Sequence, residues 1–213
     1  MSNTTQPKDE QSIRLFKSDF MEFFSHISPI AVLVIFIPLV AFFLFLAARA
    51  NQAGGWWNVP ISFAIGLLIW PLIEYLLHRF IFHWAPANPG EKTKRFLFLM
   101  HGVHHATPRD KTRLVMPPVL SLPLSALFYL LFWLVFGKLI GAPHYVAGTF
   151  AGFLLGYVIY DITHYALHHF SLKGNYFARL RRHHMGHHFK YHTMSFGVST
   201  WFWDKVFKTY PRQ

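Results

Sequence analysis

The sequence predicts an all-α, multi-pass membrane protein, because long uncharged segments alternate with short basic ones. Apolar residues make up 53% of the chain and charged residues only 14%, which is far more apolar than an ordinary soluble domain. A helix needs about 20 apolar residues to cross the hydrocarbon core of a bilayer. Four segments reach this length, so we predict four transmembrane helices in two hairpins, with a cytosolic helical cap. Their predicted bounds are 29–48, 59–77, 117–136 and 146–167.

The residues before the first span, 1–28, are predicted to form a region of their own. Residues 1–11 are polar and lack the pattern of a signal peptide, so we expect a disordered tail. From Ser12 to His26, aromatic and charged residues recur at helical spacing, which predicts an amphipathic helix lying on the bilayer. The remainder, 29–213, is expected to form one membrane domain whose cap is built from 78–113 and 168–213.

The basic residues predict the orientation of the spans. Seven Lys and Arg residues lie in Arg79–Arg113 and eight in Lys173–Arg212, whereas the two hairpin tips hold only Arg49 and Lys138. Cytoplasmic flanks of transmembrane helices carry the excess of positive charge, so both termini and the middle segment are expected in the cytosol. A membrane surface also explains the net charge of +11 better than nucleic acid does, because the basic residues form no stripe with interleaved aromatics.

The chain contains no cysteine, which excludes disulfides, thiolate metal sites, iron–sulfur clusters and a cysteine nucleophile. Any metal site must therefore use nitrogen and oxygen ligands, and histidine is abundant. Ten of the fifteen histidines fall into four clusters at or just beyond span ends. The clusters are His78 with His83, His101 with His104 and His105, His164 with His168, and His184 with His187 and His188.

The spacing within these clusters is typical of metal ligands. Histidines at i and i+4, such as His164 and His168, share one helix face and can bind one ion. Adjacent histidines such as His104 and His105 lie about 100° apart around a helix and are poorly placed to share an ion, which favours two ions. His78 and His83 are five residues apart, so we expect the second span to end or unwind between them.

One such pair would be weak evidence, but four clusters at one membrane face indicate a metal site. We do not expect the other five histidines to be ligands; these are His26, His144, His169, His183 and His192. Two acids lie inside the predicted spans, where a carboxylate costs about 2.5–3.5 kcal/mol and is usually functional. Glu74 precedes His78 by four residues and Asp161 precedes His164 by three, so each could bond the ligand's other ring nitrogen.

The order of the histidine motifs, H-x4-H, H-x-x-H-H, H-x-x-x-H and H-x-x-H-H, resembles that of the membrane fatty acid hydroxylase superfamily. Residues 99–118 and 187–207 are similar to those of the fatty acid 2-hydroxylases in particular, and the likeness extends from Glu74 to Tyr210. This resemblance implies two sets of five histidine ligands, one set for each ion. The sets are His78, His83, His101, His105 and His187, and His104, His164, His168, His184 and His188.

The resemblance also implies an activity, the O2-dependent hydroxylation of a fatty acyl chain at C2 by a di-iron centre. Nitrogen ligands suit iron, copper and zinc, but zinc has no redox chemistry and cannot support this reaction. A preparation of the protein could nevertheless contain zinc. Animal and fungal members carry a cytochrome b5 domain with a His-Pro-Gly-Gly motif, which this sequence lacks. We therefore expect a separate electron donor of cytochrome b5 or ferredoxin type, and a bacterial inner membrane rather than the endoplasmic reticulum.

Substrate contacts are expected from the basic and aromatic residues that flank the histidines. Arg109 and Arg113 could meet an acidic headgroup, and Trp201 and Trp203 could cover the site at the interface. Two alternatives stay open at this point. One is a sterol or carotenoid hydroxylase or desaturase of the same superfamily, and the other is a histidine-rich metal transporter or scaffold, which should place its ligands near the bilayer midplane.

Overall fold

The computed structural model describes residues 12–50 and 55–211. The predicted disordered tail at 1–11 and residues 51–54 of the first hairpin tip lie outside these residues. Within them every regular element is a helix, and no strand occurs, so the predicted all-α class is confirmed. The α-helices are α1 Asp19–Phe23, α2 Pro29–Ala50, α3 Asn58–Leu77, α4 Glu91–Leu97, α5 Val103–Ala106, α6 Pro118–Phe132, α7 Val146–His169, α8 Asn175–Phe189 and α9 Phe202–Val206.

Three α-helices are joined without a break to a wider π-helical segment. These segments follow α3, α4 and α6, and a short 3-10 helix, Pro143–Tyr145, leads into α7. The π-helical segments are His78–Phe82, Phe98–Gly102 and Trp133–Leu139. Two of the three contain histidines of the predicted metal site.

Four helical segments are long and apolar enough to cross a membrane: Pro29–Ala50, Asn58–Phe82, Pro118–Leu139 and Pro143–His169. Each begins and ends within five residues of a predicted span. The last is 72% buried over its apolar window, whereas the other three are 22%, 28% and 11% buried. α7 is therefore the central helix, and the others expose apolar side chains as lipid-facing helices do.

The chain divides into two compact units, and one of them comprises residues 29–50, 55–73 and 118–161. In this unit α3 and α7 touch backbone to backbone through small residues. A Cβ added to Gly152 would lie 1.9 Å from the carbonyl oxygen of Phe63, and one added to Gly66 would lie 1.8 Å from that of Thr149. Small residues at four-residue intervals allow such close approach between membrane helices.

The other unit comprises residues 12–28, 74–117 and 162–211, and it contains every predicted metal ligand. Its N-terminal segment corrects a prediction, since only Asp19–Phe23 is helical within the expected helix Ser12–His26. The Glu22 carboxylate accepts hydrogen bonds from the backbone N–H groups of Leu15 and Phe16, which compete with helical hydrogen bonding.

An ion pair between the buried Arg113 and the half-buried Glu22 connects this N-terminal segment to the chain just before α6. The Arg113 side chain is 2% exposed and donates to the Glu22 carboxylate and to His26 Nε2, the latter at 2.7 Å. Burial alone would raise the pKa of Glu22, but the hydrogen bonds from Phe16, Arg113 and Leu15 lower it to about 2.

Candidate metal centre

The ends of the membrane-spanning helices carry the first histidines of the site. His78 opens the π-helical segment after α3, and the backbone N–H of His83 bonds the His78 carbonyl oxygen at 3.0 Å. The expectation that the span ends or unwinds between them is confirmed, because the α-helix gives way to wider turns at His78 and the span ends at Phe82. A π-helix bonds residue i to i+5, which brings residues five apart onto one face.

The other histidines lie on four helical elements. His101 belongs to the π-helical segment Phe98–Gly102, and His104 and His105 belong to α5. α7 contributes two histidines one turn apart near its end, and α8 contributes three near its end; these are His164, His168, His184, His187 and His188.

These elements bring the ten histidines into two groups of five. The first group consists of His78, His83, His101, His105 and His187, and the second of His104, His164, His168, His184 and His188. In each group one ring nitrogen per histidine lies within 4.8 Å of all the others. The groups have the same members as the two ligand sets implied by the resemblance.

Close contacts between Nε2 atoms define each group. In the first, His101 Nε2 lies 3.1 Å from His78 Nε2 and 3.1 Å from His105 Nε2. In the second, His184 Nε2 lies 2.9 Å from His168 Nε2 and 3.1 Å from His188 Nε2. The two groups touch, because the rings of His105 and His188 stack with centroids 4.2 Å apart.

The surroundings of the histidines that lie outside the spans favour their neutral form. Burial, and then the neighbouring histidines, lower the pKa of His101, His104 and His184 well below 6.5. The same two causes lower the pKa of His83 to about 3 and that of His105 to about 2. A histidine binds a metal ion through an unprotonated nitrogen, so these rings are in the state that binding requires.

Backbone carbonyl groups fix the tautomer of two histidines in the first group. His78 Nδ1 bonds the carbonyl oxygen of Phe196, and His187 Nδ1 bonds that of Met194 at 2.7 Å. Because a carbonyl only accepts, Nδ1 carries the proton and Nε2 presents a lone pair to the centre of the group.

This arrangement fits metal ions. His78 Nε2 has a lone pair, and one proton on His101 Nε2 cannot satisfy both His78 and His105. In the second group, His184 Nε2 likewise faces both His168 Nε2 and His188 Nε2, and one proton cannot satisfy both contacts. Converging imidazole lone pairs repel one another, and a cation between them removes that cost.

An acid that the sequence analysis missed supports the segment that carries these carbonyls. Asp204 is fully buried, and its carboxylate accepts 2.8 Å hydrogen bonds from the backbone N–H groups of Phe196 and Gly197. It also accepts from the Thr209 hydroxyl at 2.8 Å and from His183 Nε2 at 3.0 Å. The sequence does contain a signal for Asp204, since a single acid in a run of aromatic residues is unusual, but this acid lies outside the predicted spans.

Glu74 supports the same segment from the other side. Its carboxylate accepts hydrogen bonds from the backbone N–H groups of Val198 and Ser199 at 2.6 and 2.9 Å, and from the Ser199 hydroxyl. The ring nitrogen of His78 that we expected it to bond lies on a backbone carbonyl instead. Asp161 accepts from the Tyr157 hydroxyl at 2.9 Å, and its expected bond to His164 stays a prediction.

The predicted substrate residues differ in exposure. Arg113 is buried in its ion pair with Glu22, whereas Arg109 is exposed. Trp201 is half-buried, and its ring lies 4.9 Å from Tyr176 and under the Arg179 guanidinium at 4.7 Å. Trp203 is half-buried and stacks on Phe207 at 5.9 Å. The structure thus gives Arg113 an internal partner and leaves Arg109 at the surface.

Comparison with known proteins extends these findings. The family model for the fatty acid hydroxylase matches residues 63–209, which is more than half of the chain and includes all ten histidines. The chain belongs to the fatty acid hydroxylase family. The chain is 42% identical to a fatty acid 2-hydroxylase of Rattus norvegicus over 218 residues, which is 92% of this chain and 56% of that protein.

Two other relatives of this fatty acid hydroxylase family member come from a plant and a yeast. It is 37% identical to a dihydroceramide fatty acyl 2-hydroxylase of Arabidopsis thaliana, over 93% of this chain and 80% of that one. It is 44% identical to a ceramide very long chain fatty acid hydroxylase of Saccharomyces cerevisiae, over 83% of this chain and 44% of that one. The chain spans about half the length of the mammalian and yeast relatives.

A solved structure shares the fold. It is full-length scs7p, of which only the hydroxylase domain is visible, and it superimposes with a TM-score of 0.82. The identity is 37%, and the match covers 91% of this chain and 70% of that one.

Proposed function

We propose that this fatty acid hydroxylase family member inserts one oxygen atom of O2 into a C–H bond at C2 of a fatty acyl chain. The observation that carries this proposal is the pair of touching five-histidine groups, in which eight of the ten side chains are buried, in a protein with four candidate membrane spans. The relatives support it, since their names specify 2-hydroxylation of fatty acids or of dihydroceramide acyl chains. The same names favour an acyl substrate over a sterol or carotenoid.

The two groups would each hold one metal ion, and we propose iron for both. The first ion would be held by His78, His83, His101, His105 and His187, and the second by His104, His164, His168, His184 and His188. When bound, two iron ions would supply the redox chemistry that side chains lack. Zinc could occupy the same ligands in a preparation, because affinity alone does not select the metal.

The stoichiometry of the overall reaction defines the reactants that must reach the site. One O2, two electrons and two protons convert the C2–H bond to C2–OH and release one water. We propose that the electrons come from a separate redox protein of the cytochrome b5 or ferredoxin type. The substrate would be a lipid-borne or free fatty acid, whose apolar chain can partition into the bilayer with the spans.

The chain's own residues would keep the imidazoles in place during this reaction. Asp204 and Glu74 bind the backbone of residues 196–199, and this segment fixes the ring of His78. Arg109 is the exposed cation that we propose for an acidic headgroup, with Trp201 and Trp203 covering the site at the membrane surface. Arg113 is not proposed as a headgroup contact, because its guanidinium pairs with Glu22.

We further propose that both termini and the histidine groups face the cytosol, with the cap of 78–113 and 168–213 belonging to one membrane domain, 29–213. The distribution of basic residues supports this orientation. The relatives named above are eukaryotic, and they give no support for a bacterial inner membrane over the endoplasmic reticulum.

Lipid mass spectrometry tests the proposal. Cells expressing the intact chain should accumulate 2-hydroxy fatty acids after acid hydrolysis of their membranes, and cells expressing the His104→Ala/His188→Ala double variant should not. His144→Ala, which removes a histidine outside both groups, should retain the product. A hydroxylated sterol or carotenoid instead would indicate the related oxygenases, and purified protein that takes up no iron would contradict an iron enzyme.

A further inference from the structure

A cavity of about 430 Å³ lies beside α8, outside both histidine groups. None of the ten grouped histidines lines it. The lining residues that matter are polar or cationic: Arg179, Arg182, His183, Tyr191, Ser195 and Tyr210. Among the described residues that line it, none is acidic. Asp204 does not line the cavity but accepts a hydrogen bond from the lining residue His183, which leaves the two arginines as the charged groups of a cavity suited to an anion.

The two arginines supply most of the charge. Arg179 and Arg182 are three residues apart on α8, so they share one face of the helix. Arg179 donates to the Tyr210 hydroxyl at 3.0 Å and lies over the Trp201 ring, which holds its guanidinium in place. Arg182 has no ion pair or hydrogen bond within the described part of the chain. A guanidinium presents several donors in a fixed fork that matches phosphate oxygens.

Ser195 gives independent evidence of a missing ligand. Its residue is fully buried, and its Oγ has no hydrogen-bond partner among the residues described. Its φ of 61° lies in the left-handed region, which is uncommon for a residue other than glycine and is often found at functional sites. A buried hydroxyl without a partner costs stability, and a bound acceptor would remove that cost.

We propose that this cavity binds a phosphate group. A phosphate carries several acceptor oxygens arranged in three dimensions, and here the donors approach from α8, from Ser195 and from Tyr210. A carboxylate would be satisfied by one guanidinium and would leave the other donors unused. The group can come from free phosphate or from a phospholipid headgroup, because both present the same oxygens. The inference does not depend on the hydroxylation chemistry, since it concerns a separate cavity.

Calorimetric titration of the purified full chain in an uncharged detergent tests the inference. The probes are inorganic phosphate and, separately, dihexanoyl phosphatidic acid. Both should bind saturably, and the Arg179→Gln/Arg182→Gln variant should bind about tenfold or more weakly, because hydrogen bonds to charged groups are lost. The charge-matched control Lys92→Gln/Lys173→Gln removes two exposed cations outside the cavity and should bind as the unaltered chain does.

Each outcome of the titration either supports or overturns the inference. Binding of both probes, weakened by the arginine variant alone, supports a site for the phosphate group itself, and binding of the lipid alone supports a headgroup site. Absence of saturable binding overturns the inference, as does equal weakening in the charge-matched control. If the double variant is not folded by size-exclusion chromatography, Arg182→Gln decides alone. Ser195→Ala should weaken binding without changing its dependence on salt, because no charge is removed.

Discussion

The substitution Asp204→Asn isolates the role of a buried carboxylate that contacts no grouped histidine directly. The carboxylate accepts four hydrogen bonds, two on each oxygen. Asparagine keeps one acceptor oxygen and places an NH2 group where the other stood. Whichever way the amide is turned, one backbone N–H, that of Phe196 or of Gly197, then faces the NH2 group, and Thr209 or His183 must change from donor to acceptor. The segment held by these bonds contains Phe196, whose carbonyl orients His78.

The size of the effect follows from the one backbone hydrogen bond that is lost in either orientation. A hydrogen bond to a charged group contributes about 1.5–3 kcal/mol, so its loss costs about that amount. A buried backbone N–H left without an acceptor adds to that cost. We therefore expect the free energy of unfolding to fall by at least this amount, and the first histidine group to lose metal because His78 is no longer held.

The assay combines two measurements on the purified protein. Denaturant unfolding in detergent gives the loss of stability, and elemental analysis well below the unfolding transition gives metal per chain. Asp19→Asn is the matched control, because that carboxylate is 91% exposed and, among the described residues, forms an ion pair with Arg14 alone. If Asp204→Asn keeps its full metal content and unfolds at the same denaturant concentration as the control, the reasoning about this carboxylate is refuted.

Two further predictions concern stability. Because the pKa of Glu22 is lowered from 4.5 to about 2, its charged form stabilises the fold above pH 4.5, and this contribution is lost as the pH falls towards 2. Glu22→Gln should therefore lower the free energy of unfolding by about 1–3 kcal/mol at pH 7, and the difference in stability between the variant and the unaltered chain should shrink below pH 4.5. Denaturant unfolding at several pH values measures this difference. A difference that is independent of pH would contradict the prediction. Gly152→Ala should cost about 1–3 kcal/mol in the same unfolding assay, because its Cβ would lie 1.9 Å from a carbonyl oxygen. Gly137→Ala, where the nearest atom is 3.5 Å away, is the control, and equal stability of the two variants would argue against the α3–α7 contact.

The parts of the fold that depend on length and hydrophobicity could be predicted from the sequence. Hydrocarbon thickness sets the length of a spanning helix, and uncharged runs have few other uses, so the four spans were predictable to within a few residues. The convergence of the histidine clusters was also predictable in outline, since all four lie at span ends with the same charge bias. The packing of α3 on α7 was not predicted, although Gly148, Gly152 and Gly156 recur at four-residue intervals, a pattern that favours close helix packing.

The parts that depend on specific hydrogen bonds could not be predicted. Helical periodicity over Ser12–His26 suggested a longer helix, but the pattern does not reveal that Glu22 binds the backbone of Leu15 and Phe16. The position of Arg113 next to the histidines suggested a headgroup contact, yet that buried guanidinium pairs with Glu22, which is ninety-one residues away in sequence. Long-range partners of this kind leave no periodic trace in a single sequence.

The five-residue spacing and the adjacent histidines perform complementary tasks in the site. A regular α-turn would place His78 and His83 on different faces, and the π-helical segment returns them to one face and to one group. Within each adjacent pair, the two rings belong to different groups: His104 and His105 are divided, as are His187 and His188. α5 and α8 therefore each belong to both groups, so the distance between the groups is fixed by the geometry of two short helices. Any change that shifts either helix should disturb both groups together.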